Sequence, residues 1–226
     1  MAEDTLRGPT GKATSTALVL VAGEAPARIP PIPDGSHIVA ADGGMEHAAT
    51  LGLALDAIVG DLDSAPSSGL AAARAAGIVL ETYPVDKDAT DLELALRHVL
   101  DSGCDRVLIV GGGGGRLDHL LANALILAHP DFASLDLEWH VGTAVVQVAR
   151  PGRNVVISGA AGDPVTLLAV GGTASGVATR GLRWSLAAAV LEPGTSRGVS
   201  NEILADSASV TVTEGALLVI HEKEIR

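Results

Sequence analysis

The spacing of hydrophobic and polar positions changes about two thirds of the way along the chain. From Ala17 to about His140, short runs of aliphatic residues alternate with stretches of helical periodicity. The apolar runs are "ALVLVAG", "HIVAADGG", "AIVGDLDS", "GIVLETYP", "RVLIVGGGGG" and "LDLEWH". This alternation predicts a mostly parallel α/β sheet with helices packed on it in three layers.

The segment "TDLELALRHVLDSG" carries a complete helix pattern. Thr90 and Glu93 form a capping box, and Gly103 suits the carboxyl-terminal end. The apolar residues between them follow the i, i+3, i+4, i+7, i+8 spacing of one buried face, namely Leu92, Ala95, Leu96, Val99 and Leu100.

A second helix is predicted in "RLDHLLANALILAHP". Its apolar stripe leaves Arg116, His119 and Asn123 together on a different face. We expect the stripe to be the buried side, and it consists of Leu117, Leu120, Leu121, Ala124 and Ala128.

Beyond about Thr143 the helical period is absent, and short β-rich runs such as "NVVIS", "VTLLAV" and "SVTVT" are separated by Gly, Pro, Asn and Asp. This pattern predicts an antiparallel β-sandwich. The expected organisation is a flexible tail over residues 1–16, an α/β domain over 17–142 and a β-sandwich domain over 143–226.

Composition narrows the classes of partner. The formal charge is −12, from 15 basic and 27 acidic residues, and no basic cluster interrupts it. Nucleic-acid binding needs such a basic patch, so we expect no nucleic-acid partner. No apolar stretch reaches the roughly 20 residues of a membrane-spanning helix, and the opening residues lack the apolar core of a signal peptide. The single cysteine, Cys104, is compatible with a reducing cytoplasm.

Aspartates gather where the predicted parallel strands end. Asp42 follows the second apolar run, and Asp61 and Asp63 follow the third. Ligands of open α/β sheets bind at the carboxyl ends of the strands. An i, i+2 pair in extended backbone places both side chains on one side, so Asp61 and Asp63 should meet and either share a proton or hold a cation. Oxygen ligands of this kind favour Mg²⁺ over zinc.

The glycine run "VGGGGGRLDH" follows a predicted strand and opens a helix, which is a position that attracts phosphate. The run matches neither the dinucleotide-binding nor the Walker fingerprint. Arg116 directly after it offers a planar fork for phosphate oxygens. Lys87 is either a second phosphate contact or the charge balance of its acidic neighbours, and His119 is either a ligand or a surface residue.

Five ordered motifs resemble the thiamine pyrophosphokinase family: "ADGG", "VGDLDS", "DKDATDLELAL", "GGGGGRLDHLLAN" and, in the second half, "SGVATRGLRWSL" with "GTSRGVSNE". The resemblance runs from about Leu18 to His221. It implies an α/β domain that binds ATP and Mg²⁺, a β-sandwich domain, and a homodimer whose thiamine sites form between subunits. "RWSL" departs from a "KYPL"-like string in many bacterial members but keeps an aromatic residue.

The resemblance also implies roles for particular residues. The expected metal ligands, directly or through water, are Asp42, Asp61, Asp63 and Asp91. The expected nucleotide contacts are Asp42, Gly43, Lys87, Asp88, Thr90, Gly114, Gly115, Arg116, Asp118 and His119. The expected thiamine contacts are Trp184, Ser200 and Asn201.

The implied reaction moves the pyrophosphoryl group of ATP to the thiamine hydroxyl and releases AMP, with Asp61, Asp63, Asp91 and Arg116 as the expected catalytic residues. Metal ions and cationic side chains would neutralise the developing charge. A general base is left open between Asp91, Asp63 and none. Two alternatives remain at this stage: a Mg²⁺-dependent phosphohydrolase, and a non-catalytic nucleotide or thiamine sensor.

Overall fold

A computed structural model describes residues 15–63 and 67–222, with the backbone alone at Ser67. The first fourteen residues of the predicted tail and Ser64 of "VGDLDS" lie outside the described residues. The strands are Thr16–Val21 (β1), His37–Ala41 (β2), Ala57–Gly60 (β3), Val79–Thr82 (β4), Arg106–Gly111 (β5), Asp136–Val141 (β6), Ala144–Ala149 (β7), Val155–Ser158 (β8), Pro164–Ala169 (β9), Ala174–Arg180 (β10), Ala189–Leu191 (β11), Asn201–Glu202 (β12), Ser207–Thr211 (β13) and Leu217–Glu222 (β14).

The α-helices are Met45–Leu51 (α1), Ser67–Ala75 (α2), Asp91–Ser102 (α3) and Leu117–Leu127 (α4), and two short 3-10 helices cover Asp42–Gly44 and Pro130–Phe132. The chain divides into two compact units. The first takes in Met1–Ala22, Pro30–Ile109 and Ser134–Asp136, and the second takes in Gly23–Ile29, Val110–Ala133 and Leu137–Arg226.

The first unit is built on parallel strands. β1 pairs with β2, β2 with β3 and β3 with β4, all parallel. The apolar side chains of β1 are buried because the strand is covered on both faces, as parallel sheets require. The three helices α1, α2 and α3 pack against these strands.

Helix α3 forms as its sequence predicts. The Thr90 hydroxyl accepts a hydrogen bond from the Glu93 amide at 3.2 Å, and Gly103 ends the helix in a left-handed conformation. The predicted apolar face is buried at Leu92, Ala95, Leu96 and Val99, and Leu94 is buried as well.

The second unit is dominated by antiparallel strands. One sheet contains β12, β9, β14, β7 and β6 in that order, and a four-stranded sheet contains β11, β10, β13 and β8. Side chains from both sheets form one apolar core, including Val165, Leu167, Val177, Val210 and Leu217. The predicted combination of an α/β fold with a β-sandwich is therefore confirmed, whereas the boundary at residues 142 and 143 stays a prediction.

The buried face of α4 differs from the predicted one. Leu117 and Leu121 are 67% and 55% exposed, while Asn123 and Leu127 are buried. The prediction failed because all sides of this helix are rich in apolar residues, so that a leucine stripe alone did not identify the face that packs.

Candidate functional site

Asp42 begins the 3-10 helix that directly follows β2, at the carboxyl end of the strand. Its backbone has a positive φ of 42°, which is uncommon for a residue other than glycine. Gly60, the last residue of β3, lies so close that an added Cβ would be 3.0 Å from the Asp42 Cβ. A glycine at the end of the neighbouring strand thus makes room for the Asp42 side chain.

Asp61 and Asp63 follow β3, but the backbone between them is not extended. Leu62 has a positive φ of 55° and is buried, so the chain turns there, and the Asp63 amide donates to Asp61 Oδ1 at 3.3 Å. The expectation of an extended backbone between the two carboxylates is therefore wrong, whereas the expected meeting of their side chains is confirmed, because the Asp63 side chain lies within hydrogen-bonding reach of Asp61. Asp61 lies partly buried and Asp63 is exposed.

Lys87 joins the carboxylates after β3 and at the start of α3. Its Nζ lies 3.2 Å from Asp61 Oδ2 and 2.9 Å from Asp91 Oδ1, and only 12% of its side chain is exposed. Asp91, the first residue of α3, also interacts favourably with the positive end of that helix. We call Asp42, Asp61, Lys87 and Asp91 the carboxylate cluster.

The pKa values of the groups in the carboxylate cluster shift in different directions. Burial raises the pKa of Asp42, and the nearby charges of Asp91, Asp61 and Asp63 raise it further, although an amide of Gly43 opposes them. The hydrogen bond from Lys87 lowers the pKa of Asp61. Burial alone would lower the pKa of Lys87, but its contacts with Asp91 and Asp61 outweigh burial and raise it.

The Asp42 carboxylate has an unused oxygen. Asp42 Oδ1 is buried and has no hydrogen-bond partner within the described part of the chain. Over the same residues, no group of three or more His, Cys, Asp and Glu side chains is arranged to hold a metal ion by itself. A hard cation that keeps most of its water and phosphate ligands needs only one or two carboxylates, so this donor set still fits Mg²⁺.

The remaining predicted residues of the first unit lie in two segments, one directly after β2 and one directly before α3. Thr90 caps α3 through its hydroxyl, Asp88 is exposed, and Gly43 lies in the 3-10 helix after Asp42. The structure thus brings Asp42, Asp61, Lys87 and Asp91 together, and places Asp88 at the surface.

The glycine run lies in the second unit and joins β5 to α4. Gly113 O accepts a hydrogen bond from the Glu24 amide at 2.8 Å, and a Cβ at Gly114 would lie 2.7 Å from the Glu24 side chain. Gly114 and Gly115 both have positive φ and are exposed. Close approach to Glu24 therefore explains the glycine at position 114.

Arg116 and Asp118 form an exposed two-point ion pair at the start of α4. Arg116 Nε donates to Asp118 Oδ1 at 3.1 Å, and Nη2 donates to the other carboxylate oxygen. This hydrogen bonding lowers the pKa of Asp118 to about 2 and raises the pKa of Arg116. The arginine fork is thus engaged by a carboxylate, and His119 beside it is exposed.

Trp184 lies on the surface of the second unit, with 54% of the residue exposed. Its amide donates to Asn201 Oδ1 at 3.1 Å, and Asn201 Nδ2 donates to the Trp184 carbonyl at 2.8 Å. The amide of Ser200, a residue with a positive φ of 60°, donates to Thr166 Oγ1. The structure therefore brings Trp184 and Asn201 together and excludes core packing as the role of the indole ring.

Sequence reasoning missed two residues at these positions. The Arg183 guanidinium lies 4.9 Å from the centre of the Trp184 ring, and Nε1 of the buried Trp139 donates to the Gly111 carbonyl at 2.8 Å. The scarcity of aromatic residues was the available signal for Trp139, because a buried indole needs a partner for its N–H group. Nothing in the local sequence distinguished Arg183.

The described residues contain no helix that is long and apolar enough to cross a membrane. The fold has two parts, an α/β unit with carboxylates at its strand ends and an antiparallel β-sandwich unit. Strand ends of this kind are where open α/β sheets bind small molecules. Family models identify the protein family to which this combination belongs. The model for "Thiamin pyrophosphokinase, catalytic domain" matches residues 33–138, and that for "Thiamin pyrophosphokinase, vitamin B1 binding domain" matches residues 154–217.

Together the two matched ranges take in about three quarters of the chain, and the chain belongs to the thiamin pyrophosphokinase family. The resemblance seen in the sequence is confirmed, and with it the assignment to an enzyme of the transferase class. A thiamine pyrophosphokinase from Bacillus subtilis is 24% identical over 165 residues, which are 73% of this chain and 77% of that protein.

Solved structures agree on the fold. A thiamin pyrophosphokinase family protein from Enterococcus faecalis is 25% identical with a TM-score of 0.76, and the match covers 93% of this chain and 100% of that one. The thiamine pyrophosphokinase structure from Bacillus subtilis gives the same TM-score and coverage at 22% identity.

Proposed function

We propose that this protein transfers the pyrophosphoryl group of ATP to the hydroxyl of thiamine, in a reaction that depends on Mg²⁺. The hydroxyl oxygen forms a bond to the β-phosphorus, and the bond from that phosphorus to the oxygen shared with the α-phosphate breaks. AMP leaves with that oxygen, and the hydroxyl proton is released. The observation that carries the proposal is the carboxylate cluster, in which Asp42 Oδ1 is buried without a hydrogen-bond partner among the described residues.

The proposed metal ligands are Asp42, Asp61, Asp63 and Asp91, directly or through water. Oxygen donors of this kind match a hard cation, and an unpartnered buried oxygen is costly unless a ligand uses it. Bound Mg²⁺ would supply charge neutralisation at the phosphate oxygens. The protein supplies positioning, because the turn at Leu62 and the start of α3 fix where Asp61 and Asp91 lie.

For the nucleotide we propose two groups of contacts, each within its own unit. In the first unit they are Lys87 of the carboxylate cluster and three residues next to cluster members in the chain, namely Gly43, Asp88 and Thr90. In the second unit the contacts are Gly114, Gly115, Arg116, Asp118 and His119. Support comes from the exposed glycine loop at the start of α4 and from the Arg116 fork, which exchanges the Asp118 carboxylate for phosphate oxygens.

For thiamine we propose that an aromatic ring of the substrate stacks on the exposed face of Trp184. Asn201 holds the Trp184 backbone from both sides, so we assign it a positioning role in place of the direct contact expected from the sequence. Ser200 lies in the adjoining turn and remains a proposed thiamine contact.

We further propose that the protein is a cytoplasmic homodimer with thiamine sites between subunits. The exposed leucines of α4, at positions 117, 121 and 125, form an apolar stripe at i, i+4 and i+8 that a second subunit would cover. Sedimentation equilibrium tests this part, since a single species at the monomer mass throughout the micromolar range would contradict it.

The activity is tested by incubating the protein with ATP, Mg²⁺ and thiamine and separating the products by chromatography. We expect equal amounts of thiamine pyrophosphate and AMP, formed only when thiamine and the metal are both present. AMP formed without thiamine would indicate a phosphohydrolase, and ATP binding without any product would indicate a sensor.

The residues are tested with one pair of variants. Asp61→Asn should lower kcat at least about 100-fold, because it removes both a proposed metal ligand and the partner of Lys87. Asp34→Asn makes the same chemical change at an exposed position in the same unit, and it should leave kcat unchanged. Equal activity of the two variants would contradict the role of Asp61.

A further inference from the structure

Lys87 is the cationic member of the carboxylate cluster. Its ammonium group lies between Asp61 and Asp91, at 3.2 Å and 2.9 Å from their oxygens, and it is largely buried. An exposed lysine that forms such contacts gains little, but a buried one cannot easily leave without a replacement for its charge. Lys87 therefore occupies the two carboxylates when no other cation is bound.

A divalent cation and Lys87 compete for the same oxygens. Mg²⁺ or Mn²⁺ at Asp61 and Asp91 would place two positive groups within a few ångströms of each other, and this repulsion opposes binding of the metal alone. When nucleotide phosphates bind as well, they offer the ammonium group new negative partners. The net charge at the site then favours keeping both cations.

We propose that Lys87 makes binding of the metal depend on the nucleotide: in the nucleotide-free enzyme it occupies Asp61 and Asp91 and suppresses metal binding, and phosphate oxygens release it from them. This inference rests on the proposed function. It adds a binding order, in which metal and nucleotide enter as one complex, and it makes Lys87 a positioning residue for that complex. By thermodynamic linkage, the metal and the nucleotide must each strengthen binding of the other by the same factor.

The test measures Mn²⁺ binding by titration calorimetry and by the loss of the free-ion electron spin resonance signal. Mn²⁺ accepts the same oxygen ligands as Mg²⁺. The nucleotide is the α,β-methylene analogue of ATP, whose bond at the reacting position cannot be cleaved. Each protein is titrated with and without this analogue, so that the readout is an affinity and does not depend on turnover.

We expect Lys87→Met to bind Mn²⁺ alone at least about tenfold more tightly than the wild type does. The reason is that an opposite charge this close to a carboxylate shifts its protonation equilibrium by a factor of about 10 to 1000, and a competing cation should feel a comparable effect. The tightening of Mn²⁺ binding by the analogue should shrink by a similar factor. Methionine keeps the apolar stem of the side chain. Circular dichroism and the melting curve check that the fold is retained.

Two controls isolate the charge of Lys87. Arg97→Met removes a positive charge from the exposed side of α3, the helix that begins at Asp91, where Arg97 pairs with Glu93, and it should leave Mn²⁺ affinity within about twofold of the wild type. Lys87→Arg keeps the charge and should retain weak binding of Mn²⁺ alone. The inference is overturned if Lys87→Met binds Mn²⁺ alone no more tightly than Arg97→Met, or if Lys87→Arg behaves like Lys87→Met.

Failure of this inference can be told apart from failure of the proposed function. Asp42→Asn and Asp61→Asn should each weaken Mn²⁺ binding in the presence of the analogue. If they do and Lys87→Met has no effect on Mn²⁺ alone, only the competition by Lys87 is wrong. If neither aspartate variant changes Mn²⁺ binding, the carboxylate cluster is not the metal site, and both proposals fail.

Discussion

Replacing Asp42 by asparagine should stabilise the protein and abolish its activity at the same time. In the wild type, burial and the charges of Asp91, Asp61 and Asp63 raise the pKa of Asp42, which means that its ionised form is disfavoured in the fold. Asparagine has almost the same shape without the charge, and it tolerates the positive φ of position 42 at least as well as aspartate. The substitution thus removes an electrostatic cost and adds no backbone strain.

The size of the effect follows from the charge, because asparagine keeps an oxygen at the same position and leaves it equally unpartnered. A neutral buried polar atom without a partner costs about 1–3 kcal/mol, and a charged one costs more. Because part of the Asp42 side chain reaches solvent, which screens its charge, we take the extra cost of the charge as about 1 kcal/mol. For a protein of this size, that corresponds to a rise in melting temperature of about 2–4 °C.

The pH dependence gives the sharper assay. A carboxyl group whose pKa is raised in the fold contributes stability that is present at low pH and is lost as the pH rises through that raised value. The melting temperature of Asp42→Asn should therefore exceed that of the wild type most clearly near pH 8. The difference should shrink as the pH falls through the raised pKa of Asp42 towards its ordinary value of 3.8.

Calorimetric melting curves at several pH values, without metal or nucleotide, measure this difference. Asp34→Asn is the control, and as a surface substitution it should stay within about 0.5 kcal/mol of the wild type at every pH. The reasoning is refuted if Asp42→Asn melts at or below the wild-type temperature near pH 8, or if its advantage is unchanged at low pH. Adding Mg²⁺ and the α,β-methylene analogue should reverse the order, because a ligand at 100 times its Kd stabilises the wild type by about 2.7 kcal/mol.

Three further predictions concern aromatic and histidine side chains. Trp184→Ala should raise the KM for thiamine about fivefold and leave the KM for ATP unchanged, since ring stacking is worth about 1 kcal/mol, and an equal rise in both KM values would contradict a thiamine contact. Trp139→Phe should destabilise the fold by about 1–2 kcal/mol in urea unfolding, because the Gly111 carbonyl loses its donor, and an unchanged midpoint would show that the bond is not needed. His98→Gln should cost about 1 kcal/mol, since His98 Nδ1 lies 2.7 Å from Glu81 Oε1 in a partly buried pair. His129→Gln on the surface should cost less than half of that, and equal losses would exclude a special role for the His98–Glu81 pair.

Elements whose signals are local could be predicted from the sequence. The ends and the buried face of α3 followed from its capping box, its glycine and its apolar spacing, and the positions of Asp42 and Asp61 followed from the rule that parallel strands end at one edge. The conformation after β3 could not be predicted in this way. A leucine with positive φ is rare, so the sequence favoured an extended backbone at Leu62, and the tertiary packing of that side chain overrode this preference.

Contacts between residues that are far apart in the sequence could not be predicted either. The hydrogen bond from Lys87 to Asp61 spans 26 positions and the one from Trp139 to Gly111 spans 28, and no local pattern specifies either. The exposed face of α4 was misjudged for a related reason. The spacing of apolar residues shows that a helix has a hydrophobic face, but it does not show whether that face is buried within the same chain.

The left-handed leucine between the two aspartates connects the proposed metal site to the interior of the first unit. Leu62 packs with Ala40 and Ile58, and the partly buried Leu70 and Ile78 lie against the same cluster. Close packing favours the left-handed conformation of Leu62, and the turn that it makes lies directly after Asp61. We therefore expect substitutions at these apolar positions to change both the stability of the fold and the geometry of the proposed metal site, so that a variant that still folds can lose activity.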